Sequence, residues 1–195
     1  MKQSRSICRS SGVVLASLLV GITLAQTPDT SLPTLPIQLP LKAEIVLSPE
    51  FCATKRRQSL GIKDVLKVGK AACEELYSAL VPMFSNLERV EKVPAAGRST
   101  AKITLIPRFI DISATQQPYL PSSQRKLVIL LEWTIKDSIG RTIWLQTVQG
   151  SSEHKAGWMV TGKQVSGLVD AAVSDLATDS VTRISAAREI QGISR

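Results

Sequence analysis

The sequence predicts an α+β domain of about four or five strands and two helices. Three observations lead there. Two β-type runs flank a turn between 127 and 150, apolar residues recur at helical spacing in two separate stretches, and further strand-like segments lie near 41 and 101. With 44% hydrophobic residues and 21% charged ones the 195-residue chain has the composition of a globular protein. One histidine and three cysteines leave almost no material for a His/Cys metal site, and no metal or cofactor is expected.

Residues 1–25 read as a secretory signal peptide. Lys2, Arg5 and Arg9 precede an apolar run from Gly12 to Ala25, and small residues at Thr23 and Ala25 suit a signal peptidase pocket before Gln26. The run is too short to span about 30 Å of hydrocarbon, so no transmembrane helix is expected in the mature chain. Cys8 lies ahead of the apolar run instead of directly after it, so the mature protein is expected to be periplasmic or secreted and not lipid-anchored. Cleavage removes 3 of 24 basic residues, leaving 21 against 16 acidic ones, a net charge of +5. Outside the cytoplasm this excess points to an envelope protein or an anionic envelope component as partner, and away from nucleic acid.

Residues 26–40 form a tether, because Pro28, Pro33, Pro36 and Pro40 favour extended backbone. A single α+β domain is expected over 41–195. Lys42 to Leu47 has strand composition and is followed by a Ser48-Pro49 break, with the strand resuming through Phe51 and Cys52. Val68, Ala72, Leu76, Ala79 and Met83 mark a helix with one buried stripe that Pro82 ends, and Phe84 and Leu87 pack beyond it. Val90 to Val93 is expected as a short strand. Ala101 to Ile112 is another, with Pro107 marking an edge or a bulge. A long connection follows from Ser113 to Gln124.

Asp137-Ser138-Ile139-Gly140 predicts a hairpin turn, with Asp137 starting a type I turn and Gly140 in the left-handed conformation. Pairing Asp137 with Arg141 places Ile129, Leu131, Trp133 and Ile135 on one face with Ile143 and Leu145. The other face then carries Val128, Leu130, Trp144 and Val148, a patch that serves as a partner contact or is covered by the tether or the loop around Trp158. From Gln164 to Glu189 a second helix shows a broad apolar face through Leu168, Val169, Ala172, Val173, Leu176, Val181 and Ile184.

No nucleophile elbow, zinc-ligand pair, phosphate loop or dinucleotide fingerprint is present, and no catalytic residue is assigned. His154, beside Glu153 in a polar loop, is the one candidate general base for an enzymatic alternative, against the reading of a solvated loop residue. Cys52 and Cys73 remain after processing, and an oxidising compartment favours joining them; two buried thiols are the competing reading. Arg56, Arg57, Lys63, Lys67 and Lys70 form an anionic-surface candidate if the first helix begins early enough to align the three lysines, against the reading of a solvated helix face.

This order of strand, helix, strands, hairpin and long last helix behind an export signal resembles small bacterial envelope proteins: the lipopolysaccharide-assembly lipoprotein, the amino-terminal domain of TolB and related auxiliary lipoproteins. The resemblance spans Leu41 to Ile190. It rests on Gly69-Lys70 opening the helix, Phe84 closing it, Lys136 to Trp144 at the hairpin, and the alanine-rich last helix. It implies two helices packed on one face of a mixed or antiparallel sheet and a noncatalytic role in envelope assembly or transport. The absent lipobox cysteine departs from that pattern. The expected function is a noncatalytic periplasmic binding or assembly module; the alternatives are a small exported hydrolase using His154 and a ligand carrier with its pocket between sheet and helices.

Overall fold

Alternating Leu39, Leu41, Ala43 and Ile45 point one row of apolar side chains into the core from the strand β1, Leu39–Val46, which opens two residues before the expected start. The computed structural model describes residues 38–59, 63–95, 97–116, 123–156 and 162–193. These lie in one compact unit, Leu35–Arg195. The leader, most of the tether and the loop around Trp158 fall outside the described residues.

After β1 come α1 (Pro49–Cys52), the hairpin β2 (Arg56–Ser59) and β3 (Lys63–Leu66), and α2 (Val68–Leu80). Next are β4 (Phe84–Val90), β5 (Ile103–Gln116), β6 (Ser123–Asp137), β7 (Thr142–Ala156), α3 (Gly162–Ala186) and α4 (Arg188–Ile193). Five strands form one mixed sheet in the order β4-β1-β5-β6-β7, with β1 parallel to β4 and β5, and β5, β6 and β7 antiparallel. The helices α2 and α3 pack together on one sheet face, and their apolar stripes join one core with Ile45, Leu105, Leu131 and Trp133. The α+β class and its mixed five-stranded sheet are therefore as expected.

Several local expectations are corrected. Ser48-Pro49 starts a helix turn, because the Ser48 hydroxyl accepts the Phe51 amide at 3.2 Å and proline sits at the first helical position; the strand does not resume through Cys52. The segment before Val68 is a hairpin, so the first long helix does not begin early. The strand expected at Val90 to Val93 lies earlier, at Phe84–Val90, where Phe84 and Leu87 are buried and Val93 stays exposed. β5 runs on to Gln116 and β6 begins at Ser123, which shortens the connection between them. The last helix divides after Ala186, and α4 follows Ala187.

Pro107 behaves as its missing amide requires. The β1–β5 ladder ends at Leu105, so Pro107 has only β6 beside it, opposite Trp133, and a bulge follows between Phe109 and Asp111.

The hairpin turn forms as expected: Gly140 has φ +86° and donates to the Asp137 carbonyl at 2.9 Å, while Asp137 donates to the Arg141 carbonyl at 2.9 Å. One residue later the register changes. Lys136 pairs with Thr142 but Ile135 pairs with Trp144, so Ile143 is an extra, bulged residue and every later side chain of β7 changes face. Trp144 and Val148 thus lie on the helix-covered face, opposite Ile135 and Leu131, and Leu145 is turned outward at 59% exposure.

Gly150 belongs to that covered face. A Cβ there would lie 2.2 Å from the Ala172 carbonyl and 2.5 Å from the Leu176 Cβ, so glycine is what lets α3 close on β7. α3 also caps this edge strand: the Gln149 and Ser151 amides donate to the Asp179 and Asp175 carboxylates at 3.2 and 2.8 Å. Outward N–H groups of β7 are thereby withheld from edge-to-edge pairing.

Candidate functional site

The helix layer is not closed along its length. Between the first turns of α2 and the first half of α3 lies a cleft of about 550 Å³, bounded at one end by Val65, Leu66 and Lys67. Its apolar wall is made by Leu66, Val165, Val169 and Val173, all buried. Exposed Lys67, Lys70, Glu74, Glu75 and Asp170 stand at its rim. Among the described residues the ion pairs are Arg108–Glu132, Arg141–Asp137 and Arg183–Asp179, so none of the rim charges is spent on a neighbour. An apolar wall with charges of both signs at its mouth suits a ligand or segment with one apolar and one polar side.

The Cys52–Cys73 disulfide fixes the start of α2, joining α1 to α2 with a Cα–Cα distance of 5.6 Å across 21 residues. Gly69 allows the same close approach, since a Cβ there would lie 2.3 Å from the Phe51 carbonyl, and its amide donates to the Thr54 carbonyl at 3.0 Å. Phe51 in turn stacks on Phe109 of β5 with ring centroids 4.5 Å apart. Lys67 and Lys70 at the cleft mouth are held on this cross-linked corner. Nearby, Glu50 is kept below the ordinary carboxylate range by a hydrogen bond from its own amide and by the Ser48 hydroxyl.

The basic candidates do not form one helical face. Arg56 and Arg57 are exposed on β2, Lys63 belongs to β3, Lys67 precedes α2 and only Lys70 lies in its first turn. Of the five, Lys67 and Lys70 meet at the cleft. The four residues of the expected patch are also divided: Val128 and Leu130 remain on the face away from the helices, half-buried, while Trp144 and Val148 are on the helix side.

His154 does not lie in a loop: β7 runs on to Ala156, and His154 is exposed on it, opposite Arg125 of β6. The serine two residues before it on the same face, Ser152, donates its hydroxyl proton to the Leu168 carbonyl at 2.6 Å, which withdraws it from activation by His154. Among the described residues no group of three His, Cys, Asp or Glu side chains could hold a metal ion. No helix among them is long and apolar enough to cross a membrane.

Sequence reasoning passed over Arg125, Ser180 and the roles of Asp175 and Asp179. Ser180 could have been noticed, since it falls four residues from both Leu176 and Ile184 in the middle of the apolar stripe. Arg125 falls between the expected connection, which ends at Gln124, and the strand run from Leu127, and nothing in its neighbours signals burial.

No family model and no curated protein matches the chain. Among solved structures it is similar to a minor lipoprotein from Acinetobacter baumannii, with 15% identity over 78% of this chain and 96% of that one at a TM-score of 0.48. It is also similar to hypothetical protein CT253 from Chlamydia trachomatis, with 8% identity over 79% of this chain and 98% of that one at a TM-score of 0.41.

Proposed function

We propose that this protein is an exported, noncatalytic binding module of the bacterial cell envelope that holds an amphipathic partner or ligand in the cleft between α2 and α3. The observation that carries the reading is the cross-linked corner at the cleft mouth. The Cys52–Cys73 bond belongs to an oxidising compartment, and it anchors the turn that presents Lys67 and Lys70 beside an apolar wall. The basic, apolar and small-residue order of residues 1–25 supports export, and the net charge of +5 that remains favours an acidic partner.

The test combines fractionation with capture. Amino-terminal sequencing of the protein from bacterial cells should give a chain starting at Gln26 outside the cytoplasm. Mature protein immobilised and exposed to envelope extract should retain a partner that the double variant Lys67→Glu, Lys70→Glu loses while keeping its unfolding midpoint. An intact Met1 chain in the soluble cytoplasm, or equal retention by the variant, would overturn the proposal.

A further inference from the structure

The cleft between α2 and α3 carries its charges in order along its length. α2 leads through Leu80 to Phe84, which pairs with Leu39 at the start of β1, so α2 runs antiparallel to β1. β1 is parallel to β5, and the antiparallel steps from β5 to β6 and from β6 to β7 make β7 parallel to β1 as well. α3 runs back along β7, since its Leu168, Asp175 and Asp179 meet Ser152, Ser151 and Gln149 in succession. The two helices therefore lie side by side in the same direction, with their first turns at the same end of the cleft.

Lys67 and Lys70 mark that end, at the level of Gly162 and Val165. Glu74 and Glu75, further along α2, lie at the level of Asp170 and Val173 at the other end. One end of the cleft is thus basic and the other acidic. Lys70 and Glu74 have the i, i+4 spacing at which opposite charges on a helix commonly pair, yet the ion pairs among the described residues lie elsewhere. Between the two ends Val165, Val169 and Val173 follow one another at four-residue spacing and form a continuous apolar wall.

This order sets both the length and the chemistry of a ligand. From the middle of the lysine pair to the middle of the glutamate pair is about six residues, or about 9 Å of helix. A free amino acid holds its two charges too close together to reach both ends, and a fatty acid supplies only one charge. An extended peptide advances about 3.3 Å per residue, so about three residues carry a terminal carboxylate to the lysines and a terminal ammonium to the acids. We infer that the cleft binds short apolar peptides with free ends. The carboxylate lies toward Lys67 and Lys70, the ammonium toward Glu74, Glu75 and Asp170, and the side chains against the valine wall. The inference deepens the binding role proposed above and rests on it.

Calorimetry and the unfolding midpoint of the purified protein test this with trileucine as the probe. Trileucine should bind and raise the midpoint. N-acetyltrileucine and trileucine amide should each bind about two- to fivefold more weakly, as loss of one exposed charge contact implies. Triglycine should bind more weakly than trileucine for want of apolar contact. The double variant Lys67→Gln, Lys70→Gln should bind trileucine and its amide alike while still preferring the free amine. The triple variant Glu74→Gln, Glu75→Gln, Asp170→Asn should do the reverse. All these positions are exposed, so both variants should keep the original midpoint without peptide. No response to trileucine, equal affinity for free and blocked peptides, or unchanged discrimination in the variants would overturn the inference. The capture experiment described above reads separately: a partner retained through Lys67 and Lys70 with no trileucine response overturns the peptide assignment and leaves the binding role of the cleft in place.

Discussion

The indole of Trp133 donates to the Ser180 hydroxyl at 3.0 Å, and Ser180 passes its own proton to the Leu176 carbonyl at 2.7 Å, with both side chains fully buried. This chain ties strand β6 to the middle of α3 and gives the buried indole N–H a partner while the serine's own proton is also satisfied. Ser180→Ala leaves that N–H unpaired in an apolar setting and should cost about 1–3 kcal/mol. Trp133→Phe removes the donor, so the Ser180→Ala change should be milder in its presence. A double-mutant cycle by urea unfolding measures the difference, and strict additivity would show that the two residues are not coupled.

Gly150 is the second place where α3 depends on one residue. With the Ala172 carbonyl 2.2 Å from where a Cβ would sit, Gly150→Ala forces helix and strand apart. The expected loss is about 1–3 kcal/mol despite the smaller conformational entropy of the unfolded alanine chain. An unchanged or higher thermal midpoint would contradict the packing described.

Joining Cys52 to Cys73 closes a loop of about twenty residues and should stabilise by about 3 kcal/mol in the chain-entropy description. Replacing both cysteines by serine should lower the midpoint accordingly, and adding reductant to the original protein should reproduce the drop. Mass spectrometry of unreduced peptides checks the bond directly.

Asp137 contributes to the acid limb of the stability curve. Partial burial pushes its carboxyl up, but the Arg141 amide at 2.9 Å, the Arg141 guanidinium at 2.9 Å and the Ile139 amide at 3.1 Å outweigh this and hold it below the ordinary value. A lowered folded pKa means that the stabilisation is complete above the unfolded value, about 3.9, and is lost as pH falls through the lower folded one. Below about pH 4 the original protein should therefore lose stability more steeply than Asp137→Asn. Parallel acid limbs in the two proteins would remove Asp137 from the account.

How far the sequence is legible follows from the range of each interaction. The Asp137–Gly140 turn and the apolar stripe of α3 are local patterns, and both form where the residues predict. The Ser48 cap and the β2–β3 hairpin were missed because Phe51 and Val65 show strand-like or helix-like neighbours with equal ease in so short a window. The Ile143 bulge was not legible at all, since no turn residue marks it. At the candidate sites, Lys67, Lys70 and the cysteine pair were visible as residue types in a plausible compartment. The cleft wall and the buried state of Arg125 come from contacts between residues far apart in the chain.

That bulge decides what Trp144 and Leu145 do. Without it Trp144 would face away from the helices and Leu145 would enter the core; with it Trp144 pairs with Ile135 and packs against the core cluster, and Leu145 stands outside opposite Thr134. Trp144→Ala should therefore destabilise by about 2 kcal/mol, less than the 3–5 typical of a fully buried aromatic because the ring is only partly enclosed. Leu145→Lys should change stability by no more than about 0.5 kcal/mol, as an exposed substitution does. Urea unfolding of the two variants gives the order directly, because the register without the bulge requires the reverse: a large loss for Leu145→Lys, from a charge placed in the core, and a small one for Trp144→Ala.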